Sequence, residues 1–410
     1  MSLLNLAAVV ALGAATPLAA RAVPRGVVPG IVVELVAGLL VGPHGLGWIS
    51  LDGSVDTLAQ LGLAFLFFLA GLEIDLGAIR GSVLLRSLAA YVAGLGLALV
   101  LTVTLHALGL VSAPVLLAVA LSATGLGLVV PLLRDARLLT TPVGRRVAAT
   151  ASVAEFAAVV VLALGFSSGH SPLLSAGLLG LLVALTLGIT VTARRLGARA
   201  TVTALVDRLS GGATQLRVRL SVALVVGFAA LAQELGLEVV LGAFFAGGIL
   251  NVLDQGMGDR EFRGRLDGIG YGFLIPVFFI VSGARLDLSA LSWWPDALLA
   301  VPLLTAALLV ARGLPALLLD LDSPTETVGV GLLCATSLPF IVTATQVGLA
   351  QGRLDPATAA AVTTAGLIGV CFFPVLGVTA LRRTAADPLA GHRPGGAVHT
   401  SVTSRTQPPL

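Results

Sequence analysis

The chain has 410 residues, of which 57% are hydrophobic and only 11% charged, with a formal net charge of +3. Its mean hydropathy is +1.03. A water-soluble domain must clothe its surface in polar side chains, and this composition lacks them, so the outer surface is expected to face lipid. The positive balance does not announce a nucleic acid: all 24 basic residues are arginine, and they fall between apolar runs rather than interleaving with aromatics.

In chain order, runs long enough to cross the hydrocarbon lie at about 3–20, 28–43, 57–74, 84–107, 112–133, 146–166, 171–193, 215–233, 236–252, 268–283, 296–317, 325–350 and 357–381. These are predicted to be helices, because an open chain in lipid satisfies its backbone only that way and barrel strands would alternate in polarity. The prediction is an all-α polytopic membrane protein of about 13 transmembrane helices. The first run has the length of a signal peptide, but Arg21 follows it and no basic residue precedes it, so a retained helix is expected.

Arginine placement tests this map. With the N-terminus outside, the cytoplasmic connections carry Arg21, Arg25, Arg80, Arg86, Arg134, Arg137, Arg145, Arg146, Arg194, Arg195, Arg199, Arg208, Arg217, Arg219, Arg260, Arg263 and Arg265. The outer connections hold only Arg285 and Arg353. That asymmetry predicts an outside N-terminus and a cytoplasmic C-terminus. A membrane transport domain is read over 1–383, in halves of about 1–193 and 215–383 joined by a basic linker, 194–214; the tail, 384–410, is expected to be disordered. Cys334 and Cys371 lie in apolar runs without metal-type spacing, and no GxGxxG follows a strand pattern, so neither metal nor cofactor is expected.

Halves of equal helix number and opposite orientation suggest inverted-topology six-helix repeats, with the first to sixth helices matching the eighth to thirteenth. The fifth and twelfth runs then correspond. The fifth contains Ser122, Ala123, Thr124, Gly125 and Pro131; the twelfth contains Thr336, Ser337, Pro339, Thr343 and Thr345. Small polar and breaker residues in matching places predict paired broken helices, whose freed carbonyls and opposed ends suit a mid-membrane ion site. Ordinary small-residue helix packing is the alternative.

One acid marks that depth. Glu155 lies about 14 Å beyond Arg146 at 1.5 Å per residue, near the middle of the hydrocarbon. An ionised acid there costs at least ~2.5–3.5 kcal/mol, so it must face the bundle or water. A carboxylate that holds either a proton or a metal ion is the minimum an exchanger needs, and Ser152 lies on its face of the helix. Arg312 is the other deep charge, placed to reach Glu155 or the broken-helix carbonyls, or to snorkel to Asp320 or Asp322. Glu34 is read as packing or lining a cavity, and Glu73 as solvated at the inner face.

Three stretches carry a family resemblance. Glu34–Gly47 (ELVAGLLVGPHGLG), Leu61–Leu76 (LGLAFLFFLAGLEIDL) and Phe273–Leu288 (FLIPVFFIVSGARLDL) resemble the second, third and tenth helices of bacterial monovalent cation:proton antiporters, the sodium/proton and potassium-efflux group. The likeness runs in order through nearly all of 3–381. It implies a homodimer in the inner membrane, with a dimerisation part and a moving core of helices 4–6 and 11–13 in which helices 5 and 12 are broken and cross. It also implies a role in pH homeostasis. Such proteins usually carry Asp-Asp or Asn-Asp where this chain has Ala154-Glu155, and a lysine where it has Arg312.

The resemblance thus implies H⁺ exchange against Na⁺ or K⁺ by alternating access at Glu155. Ala154 cannot titrate and a guanidinium does not deprotonate, so an electroneutral, one-for-one exchange is expected. Ser122, Thr124, Ser152, Thr336 and Ser337 are the expected ion-site support and Arg312 the charge partner. A passive or gated cation channel and an ion-coupled solute symporter of the same fold remain as alternatives. No nucleophile–base pair or metal cluster sits at membrane depth, so no enzyme activity is expected.

Overall fold

The computed structural model describes residues 2–22, 29–74, 79, 81–166, 172–197, 215–254, 260–287 and 297–386. All regular structure among them is helical: α1 (Ser2–Ala22), α2 (Gly30–Val41), α3 (Gly53–Leu72), α4 (Ser82–Ala107), α5 (Pro114–Ser122), α6 (Leu126–Asp135), α7 (Pro142–Phe166), α8 (Pro172–Gly197), α9 (Leu216–Glu234), α10 (Val239–Asp254), α11 (Arg260–Ile269), α12 (Ile275–Ala284), α13 (Ala297–Gly313), α14 (Pro324–Cys334), α15 (Leu338–Ala350) and α16 (Pro356–Ala386). A π-helical turn, Gly270–Leu274, joins α11 to α12, and a 3-10 turn, Leu314–Leu319, extends α13. Ten of the helical stretches are long and apolar enough to cross a membrane, and shorter apolar helices at Leu3–Leu18, Gly30–Val41 and Val239–Asp254 lie among them.

The fifth and twelfth predicted runs are each two helices, α5 with α6 and α14 with α15. The tenth begins at Arg260 rather than 268, its polar first turns included. Helix α8 runs through Arg194 and Arg195 to Gly197, and α16 runs to Ala386. The rest of the predicted linker, 198–214, and of the tail, 387–410, lies outside the described residues.

The helices pack in two groups. In the first, α3 lies on α10, α2 on α12, and α1 and α9 complete the layer. Here backbones touch: a Cβ at Gly71 would strike the Phe244 carbonyl oxygen, and one at Gly247 would strike that of Phe68. Glycine is what lets α3 and α10 approach so closely, as small residues do between helices in lipid. The second group holds α4–α7 and α13–α16, with α4 on α5 and α7, and α16 on α13, α14 and α15. Helix α8 touches both groups, through α10 and α7.

Ion pairs sort the helix ends onto two faces. Arg86 meets Asp320 at 2.5 Å, and Arg146 donates to the Asp320 carbonyl at 2.8 Å. Arg217 and Arg263 both reach Asp254, which is buried. The starts of α4, α7, α9 and α11 therefore share one arginine-rich face. On the opposite face Asn5 bonds Ser50 and Asp52, Arg285 pairs with Asp56 at 2.6 Å, and Ser112 bonds Asp355. Helix starts there are capped: Asp52 accepts from the Ser54 and Val55 amides at 3.1 Å each, and Asp355 accepts from the Thr358 amide at 2.7 Å. Partial burial pushes the Asp355 carboxyl up, but hydrogen bonds from Ser112 and Thr358 outweigh it and hold the group below its ordinary value.

Candidate functional site

Two interruptions meet inside the second group. Helix α5 stops where the Ser122 hydroxyl turns back onto the Val119 carbonyl at 2.9 Å and Ala123 adopts an extended conformation (φ −77°, ψ 162°). Helix α14 stops at Cys334, and α15 resumes with Pro339 in its first turn, where a missing N–H costs no intrahelical bond. Each break leaves unpaired backbone donors and acceptors that lipid cannot satisfy. They satisfy one another. The Gly125 amide donates to the Thr336 carbonyl at 2.7 Å, and the Thr124 hydroxyl donates to the Cys334 carbonyl at 2.7 Å. Gly125 suits this crossing because a Cβ would come within 3.2 Å of that Thr336 oxygen.

Glu155 projects from α7 to the same place and is 3% exposed. Its carboxylate accepts from the Leu126 amide, the first residue of α6. The acid thus sits on the positive end of a half-helix, the usual seat of an anion in a protein interior. One carboxylate oxygen is held there. Its position three residues beyond Ser152 puts that serine on its face, although the Ser152 hydroxyl is bonded to the Ala148 carbonyl at 2.8 Å.

Arg312, 2% exposed, forks onto the Thr124 hydroxyl through Nε at 3.2 Å and Nη2 at 2.6 Å. It makes no ion pair with Glu155 and does not snorkel: Asp320 and Asp322 are taken up by Arg86 and Arg146 at the arginine-rich face. The expected charge partnership is therefore indirect. Arginine and acid bind neighbouring residues of one break, Thr124 and Leu126. Thr124 accepts from the guanidinium and donates to Cys334, so its hydroxyl is fully used.

Of the other predicted support residues, Thr336 supplies its carbonyl to the crossing while its hydroxyl reaches toward the Leu332 carbonyl at 3.4 Å. Ser337 is completely buried and its hydroxyl has no partner. Ser122 bonds within its own helix and touches the Tyr91 hydroxyl at 3.4 Å. The structure gathers Glu155, Thr124, Thr336, Ser337 and Arg312 at the crossing, while the Ser122 hydroxyl is engaged by Val119 and Tyr91 and that of Ser152 by Ala148.

Sequence reasoning missed Tyr271 and misplaced Pro131 and Glu73. Pro131 lies inside α6 rather than at the break, and a proline cannot donate to the carbonyl four residues back, here Gly127. The Tyr271 hydroxyl, from the π-helical turn of the first group, reaches that carbonyl at 3.4 Å. Glu73, expected to be solvated, instead has a buried carboxylate oxygen without a hydrogen-bond partner. It lines a cavity of about 440 Å³ at the arginine-rich face, with Arg134, Arg263 and Asp267. Residues of α11 line the same cavity.

The assembly has one deep acid, one fixed cation a residue or two away, and an unoccupied serine hydroxyl on the opposing break. That set suits reversible binding of a proton or a small cation.

Known proteins resemble the chain over most of its length. The sequence profile of the family described as "Sodium/hydrogen exchanger, transmembrane" matches residues 7–382. The chain is 30% identical over 364 residues to YjbQ of Bacillus subtilis (strain 168), by its name a candidate Na(+)/H(+) antiporter, covering 85% of this chain but only 58% of YjbQ. It is 26% identical over 347 residues to the Na(+)/H(+)-K(+) antiporter GerN of Bacillus cereus, covering 80% of this chain and 83% of GerN. The fold is that of the sodium proton antiporter MjNhaP1 from Methanocaldococcus jannaschii solved at pH 8, with a TM-score of 0.66 at 17% identity, over 96% of this chain and 100% of the other.

Proposed function

The chain belongs to the sodium/hydrogen exchanger family, and on that premise we propose that it is a secondary antiporter exchanging H⁺ for Na⁺ or K⁺ across a bacterial inner membrane. One observation carries the reading: the buried carboxylate of Glu155 sits where the two helix breaks meet, on the positive end of α6. Proton and cation compete for this acid. A binding event at one face and release at the other couples the two fluxes. The Ser337 hydroxyl supplies an extra oxygen for the cation, and the names of YjbQ and GerN favour Na⁺ with K⁺ as the second candidate.

The architecture follows the same proposal. Thirteen spans form two inverted six-helix repeats about the seventh span, α8, with the broken pairs α5–α6 and α14–α15 as equivalents. The glycine-packed group is the stationary, dimer-forming scaffold, and the group holding both breaks is the moving core. The arginine-rich face is cytoplasmic, which puts the N-terminus outside and the C-terminus inside.

Stoichiometry follows from the charges. Arg312 stays protonated throughout, and Ala154 offers no second acid. A single carrier that takes either one proton or one cation moves no net charge, so exchange is electroneutral. In proteoliposomes, a cation gradient is expected to drive a pH change that Glu155→Gln abolishes, at a rate indifferent to an imposed membrane potential. Full exchange by that variant refutes the site, and a strong response to potential refutes the stoichiometry.

A further inference from the structure

The two helix groups touch through polar bonds at two heights of one scaffold helix. Low on it, Tyr271 meets the Gly127 carbonyl of α6. Near the face opposite the arginine-rich one, Gln346 of α15 is gripped from both ends of its amide. Its nitrogen donates to the Ser282 hydroxyl of α12 at 2.6 Å, and its oxygen accepts from Arg285 at 3.2 Å. The grip is fully specified: arginine only donates, which fixes the amide orientation, and the Ser282 hydroxyl passes its own proton to the Phe278 carbonyl at 2.6 Å. Arg285 is in turn anchored to Asp56 on α3 at 2.6 Å, so the gripping side belongs entirely to the first group.

Beneath this bond the groups are closed by an aromatic contact. Phe67 of α3 and Phe340 of α15 meet edge to face at 6.3 Å, and neither is exposed at all. Thr343, between Phe340 and Gln346 on α15, is likewise completely buried. At the arginine-rich face the same two groups part around the cavity lined by Glu73, Arg134, Arg263 and Asp267. One end of the interface is sealed and bonded while the other holds a cavity.

We propose that Gln346 is a positioning residue of the transport cycle, an outer latch whose bonds to Ser282 and Arg285 hold the core in the inward-facing position and must break before Glu155 is presented outside. The inference rests on the alternating-access reading above. Its bonds are made between the groups and only in this position of the core, so they weight one state of a two-state equilibrium without touching the ion.

Opposite shifts from two variants of the same residue test it. In the full-length chain with Cys334 and Cys371 replaced by serine, Thr343→Cys reports outer access to an impermeant maleimide added to intact cells. Gln346→Ala deletes the latch and is expected to raise the labelling rate roughly tenfold, the size of a lost hydrogen-bonded pair. Gln346→Glu sets a carboxylate against Arg285, a stronger charge-assisted bond, and is expected to lower labelling and slow exchange. A merely structural role would give both variants the same sign. Equal signs, or no change in either, overturn the latch.

A second measurement needs no Thr343 variant. Ser282→Cys with Gln346→Cys, bridged by a cleavable bis-thiosulfonate, is expected to stop exchange until the bridge is reduced; undiminished exchange while bridged overturns the proposal. The two readings fail separately. Exchange surviving in Glu155→Gln removes the antiport site but not a labelling response to Gln346, and the reverse pattern removes the latch alone.

Discussion

The two helix breaks are built from similar residues and are not alike. At the first, between α5 and α6, both side-chain hydroxyls are bonded, Ser122 to the Val119 carbonyl and Thr124 to Arg312 and the Cys334 carbonyl, while Gly125 bonds Thr336 and Leu126 holds Glu155. At the second, between α14 and α15, the Thr336 carbonyl is taken but Ser337 keeps a buried hydroxyl with no partner. A saturated break is an anchor, and an unsaturated one has bonding capacity left over. Pseudo-equivalent segments thus divide the labour, one fixing the geometry and the other leaving room for an ion's oxygen shell.

Substitutions can sharpen or dissolve that contrast. The largest expected effect is at Thr124. Thr124→Val removes the hydroxyl that the buried guanidinium of Arg312 binds, and a hydrogen bond to a charged group is lost at a cost of about 3 kcal/mol. Thermal unfolding of the detergent-solubilised protein measures it, and a variant of unchanged stability would mean that the first break is no anchor. Gly125→Ala comes next: its methyl group presses on the Thr336 oxygen and should cost roughly 1–2 kcal/mol, read from the same melts.

Asp355 provides a yardstick outside both breaks. Asp355→Asn weakens an α16 cap for about 1 kcal/mol. Because hydrogen bonds hold the folded carboxyl below its ordinary value, the native contribution is present above the usual carboxylate range and lost as pH falls through the depressed value. The variant's stability deficit should therefore shrink in acid. Ser337→Ala is expected to change stability least, by under ~0.5 kcal/mol, since no bond is broken. It should nonetheless raise the cation concentration needed for half-maximal exchange severalfold. A large loss of stability at Ser337 would make the two breaks equivalent after all.

Much of this was legible in the residues. The bilayer demands uninterrupted apolar length, so the crossing helices announce themselves, and Glu155 stands out because a mid-membrane acid is costly. Thr124-Gly125 and Thr336-Ser337 marked both interruptions. Pro131 misled in position: prolines are tolerated inside a buried helix when the orphaned carbonyl gains another donor, and that donor, Tyr271, comes from a distant part of the chain. The partner of Arg312 was illegible for the same reason. Glu155, the broken-helix carbonyls, Asp320 and Asp322 were all candidates, and only packing of α13 beside α5 selects Thr124. Glu73 read as solvated because it ends its helix at the inner face, whereas α11 brings Arg263, Gly264 and Asp267 to the same cavity.

Pro131 has a further consequence. In any other residue the backbone nitrogen would claim the Gly127 carbonyl for α6 and withdraw it from Tyr271. The ring's missing hydrogen therefore exports a bonding demand from one helix to another body of the protein. Replacing it with alanine should make α6 a better helix and a poorer correspondent: local firmness bought by severing a line of communication with the frame alongside.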